Sequence, residues 1–155
     1  MTHTVREARA ADASQLRALR LEAGWEAEAV PSWYGAMARG ERGMWVAELE
    51  GQVVAMVALD FVDTDPDVAD GGRTAAVTSL AVTAAAARRG LGRSLTLFAE
   101  EQARARGVRV LTLNTRPSNA AALALYESLG YQAFKQEARP WGQAVFLRKT
   151  LEGAR

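Results

Sequence analysis

Two stretches of this 155-residue chain combine residue types and spacings that could do chemistry. The first is Leu80-Ala81-Val82 followed, after a short loop, by Arg88-Arg89-Gly90-Leu91-Gly92-Arg93-Ser94. It reads as a buried strand, a turn, and a helix opened by two glycines. Amide N–H groups in the first helical turn lack internal partners and stand at the positive end of the helix dipole. Such a place binds phosphate, and glycine lets a diphosphate approach the backbone. Arg88, Arg89 and Arg93 add positive charge around it. Ala87 stands where a Walker loop needs its first glycine, and Arg93 replaces that loop's lysine. Leu95 stands where a dinucleotide fingerprint needs its third glycine. A plain helix start flanked by solvated arginines is the competing reading. The second stretch is Asn119-x-x-Ala122-x-x-x-Tyr126-x-x-x-Gly130-Tyr131. Spacing of three and four places Ala122, Leu125, Tyr126 and Leu129 on one helix face. Taken alone, Tyr126 on that face reads as a core aromatic.

Composition removes several chemistries. There is no cysteine, which excludes disulfides, thiol nucleophiles and thiolate metal sites. The one histidine, His3, sits near the N-terminus, so a Ser-His-Asp triad or a multi-histidine zinc site is not expected, and His3 itself reads as a solvated terminal residue. No metal is expected. Nineteen Lys+Arg against eighteen Asp+Glu leave a net charge of +1, which argues against nucleic-acid or membrane partners. No apolar run reaches the roughly 18 residues of a membrane span, and no signal-peptide core begins the chain, so a cytoplasmic protein is expected. The length fits one domain, residues 1–152, with a frayed tail at 153–155.

The elements that must position the two stretches alternate between strand and helix periods. A strand is predicted near Thr4–Arg9. A helix follows over Ala13–Ala23, opened by Asp12 with Gln15 in capping-box position and closed by Gly24. Trp25–Arg39 reads as a loop and short helix. Met44–Glu50 and Gln52–Val62 read as a hairpin turning at Gly51. An acidic loop, Asp60–Asp70, precedes a strand over Arg73–Val82. A long helix over Leu91–Arg106 carries Leu91, Leu95, Phe98, Ala99 and Ala103 on one face and stops at Gly107. Val108–Asn114 is a strand, and Ser118 or Asn119 caps a helix over Ala120–Leu129. Tyr131–Glu137 and Gln143–Thr150 close the chain as a hairpin. The order βααβββαβαββ gives the α/β (α+β) class: a mixed, mostly antiparallel sheet flanked by helices in a single domain.

Together, the strand–Gly-x-Gly–helix and the Asn-x-x-Ala-x-x-x-Tyr-x-x-x-Gly-Tyr pattern resemble the GNAT superfamily of acyl-CoA-dependent N-acetyltransferases. The resemblance implies acetyl-CoA (coenzyme A) as cofactor and a small-molecule or peptide amine as acceptor. It implies that the strand ending at Val82 splays from Val108–Asn114 and that the pantetheine arm enters the gap. Leu80, Ala81 and Val82 would pair with that arm, Arg88–Ser94 would hold the pyrophosphate, Asn119 would contact the cofactor, and Tyr126 would lie near the thioester sulfur. Ala87 departs from the family's preference for Gln or Arg, which implies weaker phosphate binding. Relatives are often homodimers, and the final hairpin is a plausible interface.

With no cysteine to carry an acyl group, direct attack by a neutral amine is expected. A backbone N–H near Val82 would stabilise the oxyanion, and Tyr126 would protonate the departing thiolate. Many relatives carry a glutamate on the strand matching Arg73–Val82, where this chain has Ala75, Ala76, Thr78 and Ser79. The candidate bases are therefore Asp60, Asp63, Glu26 or a water chain. Trp25, Trp33, Tyr34, Asp60 and Trp141 are candidates for the acceptor pocket, or satellite core aromatics. The Asp60–Asp70 run would either draw in a cationic amine or serve only as a solvated loop. A non-catalytic acyl-CoA-binding domain, or an O-acyl or longer-acyl transferase, would use the same scaffold.

Overall fold

The computed structural model describes residues 3–151, so the tail expected at 153–155 lies outside the described residues. In chain order the elements are β1 (Thr4–Glu7), α1 (Ala13–Glu22), α2 (Val30–Ala38), β2 (Arg42–Leu49), β3 (Gln52–Asp60) and β4 (Thr74–Val82). Then come α3 (Leu91–Ala105), β5 (Val110–Thr115), α4 (Ala120–Ser128), β6 (Gln132–Arg139) and β7 (Gly142–Thr150). Short 3-10 turns at Ala10–Asp12 and Ala84–Ala86 precede α1 and α3. The order is the expected one, with strand ends moved by one or two residues.

One seven-stranded sheet runs β1-β2-β3-β4-β5-β7-β6. Every neighbouring pair is antiparallel except β4 and β5. Successive side chains of β3 go to opposite faces, and both faces are covered, which is why β3 reads as an almost unbroken apolar run. Val57 and Leu59 meet Leu91, Leu95, Ala99 and Ala103 of α3. Met56 and Ala58 meet Leu16 and Leu19 of α1 and Val30 and Trp33 of α2. Each fully buried aliphatic side chain contributes about 1.5–3 kcal/mol of transfer free energy.

Two local expectations are corrected. The Asp12–Gln15 capping box does not form. Asp12 ends a 3-10 turn, so its carboxylate reaches backwards, accepting the Arg9 N–H at 2.7 Å and both terminal nitrogens of Arg6 at 2.8 Å. Gln15 Oε1 instead accepts the Val53 N–H at 3.0 Å. His3 is half-buried rather than solvated, because β1 pairs with β2 from Thr4 onward; its Nε2 lies 3.4 Å from Ser94 Oγ.

Arg6, against the opposing effect of burial, holds the Asp12 carboxyl below the ordinary carboxylate value of 3.8. A carboxylate more acidic in the folded than in the unfolded chain adds stability above its unfolded value, and that stability is lost as pH falls through the folded one. Urea midpoints measured between pH 7 and pH ~2.5 should therefore drop below about pH 4. Asp12→Asn should lower the midpoint at pH 7 and flatten that drop.

The acidic loop is clasped rather than free. Asp65 pairs with Lys135 of β6, and Val68 O accepts the Thr112 hydroxyl at 2.8 Å. Val68 and Ala69 pack beside Ala144 and Phe146. A second buried polar cluster was not foreseen. Glu100 of α3, 1% exposed, accepts the Tyr131 hydroxyl at 3.0 Å and Lys149 Nζ at 2.9 Å.

Candidate active site

Parallel pairing between β4 and β5 covers only Thr74–Val110, Ala75–Leu111 and Ala76–Thr112. Beyond those three pairs the strands diverge, and a cleft of about 700 Å³ opens between them, lined by Val77, Thr78, Ser79 and Leu80 on one side and Leu113 and Asn114 on the other. β4 is also bulged here. Thr78 pairs with Ala58 and Ala81 with Met56, so Ser79 and Leu80 together face Val57. Ser79 has φ +53°, a left-handed conformation that costs a residue with a Cβ roughly 1–2 kcal/mol. A bulge of this kind leaves one residue outside the ladder and bends the strand.

Tyr126, 8% exposed, lines the cleft from α4. Its ring meets Tyr131 edge-on, with centroids 6.2 Å apart. Among the described residues its hydroxyl has no hydrogen-bond partner. Burial pushes the phenol above its ordinary value of 10. Asn119 also lines the cleft, and its Oδ1 caps α4 by accepting the Ala122 N–H at 3.1 Å.

The start of α3 has the bare geometry that the sequence suggests. Gly90 is the N-cap at φ +76°, with no side-chain cap. The Ser94 N–H bonds Gly90 O at 3.0 Å, so the amides of Leu91, Gly92 and Arg93 have no intrahelical acceptor. Arg88, Arg89 and Arg93 are exposed, and among the described residues none forms an ion pair. Ala81 and Val82 carry β4 toward this turn, paired with Met56 and Ala55.

Of the residues expected around the acceptor, two stand at the cleft. Trp25, on the loop after α1, and Trp141, at the β6–β7 turn, are 38% and 43% exposed and both line it. Arg20 lies 5.0 Å over the Trp25 ring, and Arg116 lies 4.9 Å over the Trp141 ring. The other three do not line the cleft. Trp33 is buried with Leu16, Leu19 and Val30, because it follows Val30 by one helical turn on the inward face of α2. The Tyr34 hydroxyl is spent on Arg9 O at 2.8 Å. Asp60 is paired with Arg42 at 2.8 Å and accepts the Thr78 hydroxyl at 3.0 Å.

The remaining candidate bases are similarly engaged. Glu26 lines the cleft, and the Ala29 N–H and Arg20 hold its carboxyl below the usual range. Asp63 belongs to the clasped loop, where its Oδ1 accepts the Asp65 N–H at 2.9 Å. The acidic loop therefore sits away from the cleft, at the paired end of β4 and β5. Sequence reading missed Arg42 and Arg116.

Known proteins resemble this chain in sequence and in fold. The mycothiol acetyltransferase of Amycolatopsis mediterranei (strain U-32) is 36% identical over 91 residues, which are 59% of this chain and 30% of that protein. The ribosomal protein bS18-alanine N-acetyltransferase of Salmonella typhimurium is 57% identical over 44 residues, 28% of this chain and 30% of that protein. The aligned part thus spans less than a third of either curated relative. A Salmonella typhimurium protein solved with its cofactor acetyl-CoA superposes with a TM-score of 0.81 at 21% identity, covering 100% of this chain and 97% of that one. The profile described as the acetyltransferase (GNAT) family matches residues 10–131, taking in the split strands, the bare helix start and Tyr126. The chain belongs to the GNAT acetyltransferase family.

Proposed function

We propose that this protein is an N-acetyltransferase that moves acetyl from acetyl-CoA directly to a primary amine of a small molecule or peptide. The observation that carries the reading is the unpaired stretch of β4 and β5, with a buried phenol at its side and an uncapped helix start beyond its end. The residues fit the cofactor. Strand edges around Leu80, Ala81 and Val82 offer backbone groups to an extended amide chain. The amides of Leu91, Gly92 and Arg93, with Arg88, Arg89 and Ser94 around them, suit a diphosphate. Asn119 and Tyr126, which both line the cleft, would stand beside the thioester end. The curated relatives, acetyltransferases that include one acting on a ribosomal-protein alanine, support the same reaction class.

Acetyl-CoA supplies a thioester carbon open to nucleophiles. Backbone N–H groups near the bulge and Val82 would stabilise the developing charge on the carbonyl oxygen, a contribution of about 3 kcal/mol. Tyr126 Oη, kept protonated by its burial, would give its proton to the departing sulfur, the attacking nitrogen would lose its extra proton to water, and the phenolate would be re-protonated from solvent. Trp25 and Trp141 flank the acceptor with aromatic faces. The one carboxylate lining the cleft among the described residues, Glu26, is held ionised and is a weak base. The amine must then arrive neutral.

This sets the pH dependence. The rate at low acceptor concentration should rise with pH and level off near the acceptor's own pKa, about 8 for an α-amino group and about 10.4 for a lysine-like amine. Free-thiol release from acetyl-CoA with an alanine-initiated peptide and with phenethylamine tests both points. Thiol release that needs the amine supports the enzyme. Heat on titrating coenzyme A without any transfer would favour the acyl-CoA-binding alternative, and no heat at millimolar coenzyme A would overturn both.

We also propose a cytoplasmic protein without nucleic-acid or membrane partners. No helix among the described residues is long and apolar enough to cross a membrane. β6 forms one edge of the sheet, which supports a homodimer through the final hairpin. Sedimentation equilibrium measures it.

A further inference from the structure

We infer that Arg42 is a positioning residue for acetyl transfer: by gripping the side chains of Thr78 and Ser79 it holds the β4 bulge in the shape that faces the thioester. The inference rests on the N-acetyltransferase reading.

Arg42 lies on β2, two strands from β4, and its side chain is only 6% exposed. Its guanidinium spans the gap. Nη1 donates to Asp60 Oδ1 at 2.8 Å and to Thr78 Oγ1 at 3.2 Å. Nη2 donates to Ser79 Oγ at 3.1 Å. Thr78 in turn donates its hydroxyl proton to Asp60 Oδ2 at 3.0 Å, so carboxylate, guanidinium and two hydroxyls form one closed set. The Trp33 ring lies 4.6 Å from the guanidinium carbon, and Nε is buried without a partner among the described residues.

A buried ion pair is a poor way to gain stability, because apolar residues of similar size commonly do as well. Its value here lies in where it ends. Thr78 is the last regularly paired residue before the bulge, and Ser79 is the bulged residue in the left-handed region. Both line the cleft. Without a tether, Ser79 would relax toward the ordinary extended conformation, and the N–H groups of Ser79 and Leu80 would turn with it. Arginine suits the task because its planar fork reaches two hydroxyls and a carboxylate at once, which an ammonium does not.

Glycine accepts a left-handed backbone without cost, so Ser79→Gly should make the bulge independent of Arg42. Arg42→Met is expected to lower kcat for thiol release from acetyl-CoA with phenethylamine or an alanine-initiated peptide by tenfold or more, with a clearly smaller loss of coenzyme A affinity by calorimetry, since only Leu80 of the cofactor-facing strand edge lies in the bulge. In the Ser79→Gly background the same substitution should cost less than threefold. An equal loss in both backgrounds, or a parallel loss of coenzyme A affinity, would reduce Arg42 to a structural prop and overturn the inference. Arg42→Lys keeps a cation against Asp60 but lacks the fork, and gives the same comparison if Arg42→Met does not fold. A crystal structure of the Arg42→Lys or Arg42→Met protein needs no acceptor: Ser79 at negative φ supports the inference, and Ser79 still at positive φ refutes it. A wild-type protein that neither binds coenzyme A nor releases thiol defeats the underlying reading instead.

Discussion

Tyr126→Phe should lower kcat about 100-fold, the usual worth of a positioned general acid, while coenzyme A binds as before. The substitution is clean because of what surrounds the phenol. The ring is 8% exposed and packed edge-on against Tyr131, and phenylalanine fills the same space. Among the described residues the hydroxyl bonds to nothing, so its removal strands no buried partner, and thermal stability should hardly change. Burial keeps the phenol neutral past its ordinary value of 10. A wild-type rate that falls only above that pH, and a Tyr126→Phe rate without the fall, would identify the proton donor. Equal turnover of the two proteins under steady-state thiol release would remove Tyr126 from the mechanism.

Gly90→Val should weaken coenzyme A binding about 100-fold. Gly90 is the N-cap of α3 at φ +76°, where a β-branched residue is strained whatever space surrounds it. Relieving that strain rotates the peptide planes that present the Leu91, Gly92 and Arg93 amides. Losing one or two charge-assisted hydrogen bonds, each worth about 1.5–3 kcal/mol, accounts for the factor. Gly92 differs. A Cβ there would meet Leu125 Cδ2 at 3.6 Å, an ordinary contact, so Gly92→Ala should leave the helix start undistorted and cost less coenzyme A affinity than Gly90→Val. Calorimetric titration of the two variants separates the cases, and unchanged affinity in Gly90→Val would move the diphosphate elsewhere.

The elements around these residues were legible because local chemistry and tertiary burial agree. Leu91, Leu95, Ala99 and Ala103 recur at helical spacing and are all buried. Asn119 and Tyr126 lie on one short helix whose cap and length follow from the residues themselves. What stayed hidden depends on distant register. The Glu50-Gly51 turn has both residues at positive φ and pairs Leu49 with Gln52, a register that extended unbroken would put Arg42 opposite Leu59. A bulge beyond Glu48 shifts the pairing by one, so Arg42 meets Asp60. That single irregularity turned a candidate base into the partner of a buried cation. Trp25 and Trp33 are chemically alike, and only the start of α2 at Val30 decides which of them faces inward. Glu100 and Glu101 are adjacent and chemically identical; Tyr131 and Lys149, 31 and 49 residues away, decide that Glu100 is the buried one.

Three residue pairs hold the two halves of the sheet together at its heart, and Lys135 latched to Asp65 braces the same end. That end is a fulcrum. On the proposed reading the missing rungs above it are contributed by the donor molecule, whose extended amide arm stands in for a strand. Loading and mechanical continuity then become a single event, and a copy charged at a hundred times its dissociation constant is harder to unfold by about 2.7 kcal/mol. Empty copies would be the first to unzip, which would tie this protein's resistance to unfolding to the supply of its own acyl donor.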